Sequence, residues 1–274
     1  LRFLPDEFDY LLLAQNLAFR QRYAIPEGLS PIWPGTVVDG LVPTAFRAPG
    51  YPLFLAIFLR LGVGMVGLRV INFLALAGSL FLVYRILADR VRPFASILGA
   101  FLVLAYPVLL FTAGTFYPQI LGGLLFLGVI YLTCGQEITI GKMALAGLLW
   151  GVMVLTIPLF LFTLPIFLLW LVLEKKASKE QLAAFLIVAL LIVGVWTLRN
   201  YLVFDRFVLV TTNFGINFAL GNSEFTVVNA ATDVNFLDRW PIMHELTEVE
   251  QNVHLRQEAL NFIRNNKLEA FILY

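Results

Sequence analysis

Residues 94–133, "FASILGAFLVLAYPVLLFTAGTFYPQILGGLLFLGVIYLT", contain no charged side chain. A helix crosses a membrane in about 20 apolar residues, because each adds 1.5 Å to a hydrocarbon core about 30 Å thick. The stretch is long enough for two spans, with Gly114 and Pro118 at the turn between them. Shorter runs flank it. Residues 66–85 read as one span and 181–198 as another. Residues 142–173 are long for one span, and Pro158 breaks them into two short or kinked helices. The chain therefore reads as an all-α polytopic membrane protein with about six transmembrane helices.

Composition agrees. The chain has 274 residues, 60% hydrophobic and 14% charged, where soluble domains carry about 25% charged residues. The formal net charge of +1 gives no case for a nucleic-acid partner. Cys134 is the single cysteine, so no internal disulfide forms. His244 and His254, with Glu245, Glu248 and Glu250 nearby, lack a metal-ligand spacing and read as an exposed helix face. The chain opens at Leu1 without a leader and stops at "KLEAFILY", an apolar run just begun. The expectation is a piece of a longer membrane protein, cut within a span at one end and by inference at both.

Outside the spans, residues 7–22 read as a helix started by Pro5 and Asp6. Asp9, Asn16 and Arg20 form a polar stripe opposite Leu11, Leu13 and Leu17, so an amphipathic helix on the membrane surface is expected. Residues 51–62 are short for a span and read as re-entrant or interfacial. From Arg199 onward, β-branched runs and Asn/Gly punctuation suggest extended structure and turns, giving a mixed segment. It closes in a helix from about residue 248, with Thr247 and Glu250 at capping-box spacing and Val249, Val253, Leu260 and Ile263 on one face.

Orientation follows from the basic turns. Arg85, Arg90 and Arg92, and the lysines at 175–179, lie four spans apart and so share the cytoplasmic side. The organisation expected is a first extracytoplasmic loop with its surface helix (1–50), a transmembrane bundle (51–198), an extracytoplasmic segment (199–266) and the start of a truncated span (267–274).

Four stretches carry a family resemblance: "PDEFDYLLLAQNL", "PTAFRAPGYPLFLA", "TLRNYLVFDRFVLVTTNFGINFALGN" and "RQEALNFIRNN". In order and spacing the chain resembles the GT-C integral-membrane glycosyltransferases, in the bacterial branch related to protein O-mannosyltransferases and lipid A aminoarabinose transferases. The resemblance implies a multi-pass enzyme of the plasma (inner) membrane. It implies transfer of a sugar from a polyprenyl-phosphate donor to a lipid, glycan or protein acceptor on the outer face. It leaves a divalent cation open and names no other cofactor. Such chemistry needs a carboxylate base for the acceptor hydroxyl, cations for the leaving phosphate and an apolar groove for the lipid tail.

On the matching motifs, Asp6 is the implied base and Glu7 its partner, although Pro-Asp-Glu is also a good helix start. Tyr10, one turn on, faces the same site or anchors at the interface. Arg47 is implied to bind donor phosphate or acceptor, against a snorkelling role. Tyr51 belongs to the same motif and also suits packing. Arg199 and Asn200 close a span on the outer face, where arginine suits a phosphate or its own helix end. The pattern departs from many relatives at Gln119, where an acid is common, and at Ile157, where an arginine is common. A non-catalytic lipid-sugar transporter or binding homologue is the alternative. The spans carry almost no charge, which argues against ion coupling.

Overall fold

The computed structural model describes residues 4–27, 37–135, 137–174, 177–226 and 241–273. The chain is mostly helical, at 74%, with little sheet. It forms two compact units: residues 1–21 with 48–198, and residues 22–47 with 199–274.

The first unit holds α1 (Pro5–Arg20), α2 (Gly50–Arg60), α3 (Met65–Ala88), α4 (Pro93–Leu104), α5 (Pro107–Ala113), α6 (Gln119–Cys134), α7 (Ile140–Thr156) and α8 (Leu164–Leu173). The helix α9 (Lys179–Phe204) begins in it and continues into the second. Two helices, α3 and α9, are long and apolar enough to cross a membrane, with 24 and 26 residues. A third crossing is available if α4 and α5, bent by 63° at their junction, act as one. The break expected at Gly114 is therefore joined by an earlier one. Pro107 opens α5, and proline cannot donate to the preceding turn. Pro158 ends α7 as expected, and a 3-10 turn over Pro158–Thr163 leads into α8.

Polarity runs inside out in this unit. Val66, Val70, Phe73, Leu74 and Phe81 of α3 are exposed, as are Ile187, Leu190, Leu191 and Val195 of α9. Asn72, Ser79, Ser96, Thr133 and Thr156 are buried. Such outward apolar faces suit lipid, where the unpaired polar group is the costly one. Ser79, Thr133 and Thr156 each bond the carbonyl one turn back, at 3.0, 2.8 and 2.8 Å.

Small residues let the helices approach. A Cβ on Gly50 would lie 2.4 Å from Thr156 Oγ1 and 2.8 Å from the Leu155 carbonyl, so α2 sits directly against the end of α7. A Cβ on Gly147 would lie 2.3 Å from the Phe185 carbonyl, which fixes α7 on α9. At one end of the unit Arg90 donates to the Cys134 carbonyl at 3.0 Å, and Gln181 donates to the Ile138 carbonyl. These bonds gather the turn after α3, the turn after α6 and the start of α9. Lys175 and Lys176 lie outside the described residues.

The first helix differs from the expectation of a surface helix. Its supposed polar stripe is not uniformly wet, because Asn16 is buried, together with Glu7. The helix is packed into the core formed by Tyr10, Leu11, Ala14, Ala18, Tyr51 and Leu55. Arg60 fastens its end by donating to the Ala18 carbonyl at 2.7 Å.

The second unit begins with an antiparallel pair, β1 (Ala24–Pro26) and β2 (Leu41–Pro43), in which Ile25 faces Val42. It continues with the end of α9, then α10 (Phe214–Gly221), a 3-10 turn over Pro241–Glu245, α11 (Glu248–Asn265) and α12 (Lys267–Ile272). The extended structure expected after Arg199 is replaced, among the described residues, by helix to Phe204, an irregular stretch and α10. The β-branched runs at 207–212 pack as coil instead. Asn200 holds them, donating to the carbonyls of Val208 and Val210 at 3.1 and 3.3 Å. The predicted face of α11 is also rotated. The helix buries Glu248, Gln251, Leu255 and Ala259, while Val253 and Leu260 are exposed. Two polar residues on the buried face explain why an apolar period pointed elsewhere.

Replacing Gly147 with alanine is expected to push α7 from α9 and destabilise the protein by about 1–3 kcal/mol. Gly123→Ala, with nothing within 4 Å of the added carbon, should leave stability unchanged or raised. Thermal unfolding of the two variants in detergent checks the contrast.

Candidate functional site

The residues singled out from sequence divide between the units. Asp6, Glu7, Tyr10 and Tyr51 belong to the first, and Arg47, Arg199 and Asn200 to the second.

In the first unit, Leu4 is the N-cap of α1 and offers no side-chain oxygen. Glu7, at the third helical position, supplies the missing acceptor: its Oε2 takes the Leu4 backbone N–H at 2.8 Å. Its Oε1 accepts the Phe116 N–H at 2.8 Å. Glu7 is only 3% exposed, and both of its oxygens are committed to backbone donors. Asp6 is half-buried, one residue before it. Of the two carboxylates, Asp6 is the more exposed, and Glu7 the one that fastens α1 to the segment after α5.

Around this pair lies an aromatic and amide cluster. Tyr10 meets Tyr51 edge-on at 5.5 Å and Tyr117 at 6.4 Å between ring centroids. Tyr51 is fully buried. Its hydroxyl accepts from Asn72 Nδ2 at 2.9 Å and donates to Asn72 Oδ1 at 3.3 Å. Asn72 Nδ2 also donates to the Thr115 carbonyl at 2.8 Å. Tyr51 is thus a packed strut, held by an amide that sequence reasoning missed. Three residues before Asn72 stands Arg69, half-buried, with its guanidinium 5.2 Å from the centroid of the Phe116 ring. Arg69 was missed as well. Its signal was a single cation inside the apolar run of 66–85, where an ionisable group is a functional hypothesis by default. Gln119 is exposed at the start of α6. Ile157 lies against Gly122, whose Cβ would come within 2.5 Å of it.

In the second unit the organising group is Glu248, which the sequence placed on an exposed face. It is 6% exposed. Its Oε2 accepts from the Thr44 hydroxyl at 2.7 Å, and its Oε1 from the Ala45 N–H at 2.9 Å and from the Thr212 hydroxyl. Thr212 N–H in turn donates to the Ala45 carbonyl at 3.1 Å. Burial raises the Glu248 carboxyl above the ordinary value, while the bonds from Thr212, Thr44 and Ala45 and the charge of Arg199 draw it back in part. Arg199 donates to the carbonyls of Thr44 and Tyr23, both at 2.9 Å, and to Asn200 Oδ1 at 3.0 Å. Arg199 and Asn200 therefore act as fasteners of the segments 23–45 and 208–210. Arg47 is half-buried, with its guanidinium 5.0 Å from the Phe46 ring and its carbonyl bonded by the Tyr23 hydroxyl at 2.8 Å. Among the described residues no group of three His, Cys, Asp or Glu could hold a metal ion.

No protein-family model matches the chain, and no curated protein or solved structure matches it either.

Glu248→Ala leaves two hydroxyls and a buried N–H without their acceptor, and is expected to destabilise the protein by about 2–4 kcal/mol. Glu248→Gln should cost less. The folded protein holds the Glu248 proton more tightly than the unfolded chain does, so this contribution is complete below the ordinary carboxylate value of 4.5 and is lost as pH rises through the raised one. The stability of the unaltered protein relative to Glu248→Gln should fall as pH is increased above 4.5, read by thermal unfolding across pH.

Proposed function

We propose that this protein is a GT-C-type membrane glycosyltransferase that moves a sugar from a polyprenyl-phosphate donor to a lipid, glycan or protein acceptor. The observation that carries the reading is the concentration of Asp6, Glu7, Tyr10, Tyr51 and Asn72 at one end of an otherwise apolar helical unit. Polar groups on apolar helices are costly to keep, and their clustering is the usual mark of a site within the membrane boundary.

In this reading six segments cross the membrane: α3, the α4–α5 pair, α6, α7, the turn and helix over 158–173, and α9. The 16 residues of α6 extend about 24 Å, short of a 30 Å core, so the bilayer thins around it. The site lies on the extracytoplasmic side, at the opposite end of its unit from Arg85, Arg90 and Arg92. An apolar cavity of about 310 Å³ lined by Phe126, Val129, Trp150, Met153, Phe167 and Trp170 offers room for part of a lipid chain.

Asp6 then takes the proton of the acceptor hydroxyl as its oxygen attacks the anomeric carbon and the carrier phosphate leaves. Glu7 holds the helix start that aims Asp6. Tyr10 borders the acceptor, and Tyr51 keeps Tyr10 in place. Arg47 meets donor phosphate, and Arg199 and Asn200 shape the segments on either side of it in sequence.

Asp6→Asn keeps the size and removes the base. In full-length protein supplied with a polyprenyl-phosphate sugar, turnover is expected to fall at least about 100-fold, with donor binding retained. Unchanged turnover removes Asp6 from the role, and donor binding without transfer in the unaltered protein favours a non-catalytic carrier.

A further inference from the structure

We infer that Arg69 forms a binding site for the phosphate oxyanion of a membrane lipid. Three observations converge on it. The guanidinium has no hydrogen-bond or ion-pair partner among the described residues, and it lies over the Phe116 ring, 5.2 Å from its centroid. Its Nε is buried without an acceptor. And it stands in the second turn of α3, one of the two helices long and apolar enough to cross a membrane.

Each fact points to an absent anion. A buried N–H without an acceptor is costly, and a charged group more so, so such a group persists where a ligand completes it. The Phe116 ring face offers the guanidinium no oxygen acceptor, so the fork of N–H groups along its planar edge keeps its hydrogen-bonding capacity. That edge matches two oxygens of a phosphate in a forked pair of charge-assisted bonds. The side chain is half-buried rather than sealed, so a ligand can reach it. The helix adds to the field: α3 starts behind Gly64 with no side-chain cap and no acid in its first turn, leaving its positive end uncompensated. The carboxylate bonded to Phe116 is Glu7, whose two oxygens accept from Leu4 and Phe116. The Phe116 that supports Arg69 is thus also the residue that Glu7 pins, so the carboxylate fixes the platform on which the cation rests.

A lipid phosphate comes from two sources, a polyprenyl-phosphate carrier or a glycerophospholipid headgroup. In its carrier form the proposal rests on the glycosyltransferase reading; the anion site itself does not. The test is binding to the full-length protein in neutral-lipid nanodiscs, measured by native mass spectrometry. The probes are a polyprenyl phosphate and phosphatidylglycerol, each beside its uncharged counterpart, polyprenol and diacylglycerol. Arg69→Gln is expected to weaken binding of a phosphate probe about tenfold or more, equivalent to about 1.4 kcal/mol, without altering the uncharged probes. Arg69→Lys, which retains charge but not the fork, should lose less. Selective loss for the polyprenyl phosphate assigns the carrier, and selective loss for phosphatidylglycerol assigns the headgroup; loss for both assigns the shared phosphate. Equal binding by the unaltered protein and both variants overturns the proposal, as does equal loss on charged and uncharged probes. Should Arg69→Gln fail to fold, the lysine variant carries the same comparison. Sugar transfer is assayed separately, so phosphate binding without transfer sinks the enzyme reading alone, and transfer with Arg69-independent binding sinks this one alone.

Discussion

A carboxyl group removed from water must find partners for its oxygens, and the described residues meet that demand at Glu7 and at Glu248. Glu7 accepts one backbone N–H at its own helix start and one from Phe116. Glu248 accepts from Thr44, Ala45 and Thr212. In both, a side chain in the first turn of a helix reaches segments distant in sequence. Apolar contacts alone are a weak means of choosing register among helices that are apolar all round, because many rotations bury similar surface. A carboxylate with directed donors has far fewer solutions. Among the described residues, each unit therefore contains a buried carboxyl knot that selects an arrangement, with apolar packing filled in around it.

The same logic explains where polar side chains are tolerated. On α3 the exposed positions include Val, Phe and Leu, and the buried ones include Asn72 and Ser79 beside Leu68, Ala75 and Leu76. Ser79 satisfies itself against its own helix. Asn72 has donors and acceptors in excess of what one helix can match, and it joins Tyr51 and Thr115. Arg69 has more donors still and finds an aromatic face. Moving along α3 towards its start, the side chains grow more demanding and their partners less complete. That gradient, from self-contained serine to an arginine with a buried free Nε, leads from a packing region to a binding region.

Much of the plan was legible in residues alone. The spans at 66–85 and 181–198 correspond to α3 and α9, since a long apolar run without breakers has few alternatives. Pro158 ended α7 because a missing N–H acts locally. The capping pair Thr247 and Glu250 formed, with Glu250 accepting from the Thr247 N–H at 2.9 Å, for the same reason. The readings that changed all depended on partners. Asn16 and Glu248 looked exposed because polar residues usually are. The stretch 207–212 looked extended because β-branched residues usually are. Asn200, together with the bonds of Thr212 to Glu248 and Ala45, holds it as coil.

The residues by themselves determined a helical, apolar chain with a few segments long and apolar enough to cross a membrane, because length, hydropathy and proline act over one or two turns. They also marked an acidic helix start and a set of arginines as positions to watch. Only the tertiary structure decided which of these are already spoken for. Glu7, Arg199 and Asn200 are engaged by backbone groups outside their own helices, whereas Arg69 keeps a buried N–H unmet. The physical reason is that hydrogen-bond satisfaction is a property of a three-dimensional neighbourhood. The same arginine is a fastener or a site according to whether a carbonyl happens to lie within reach.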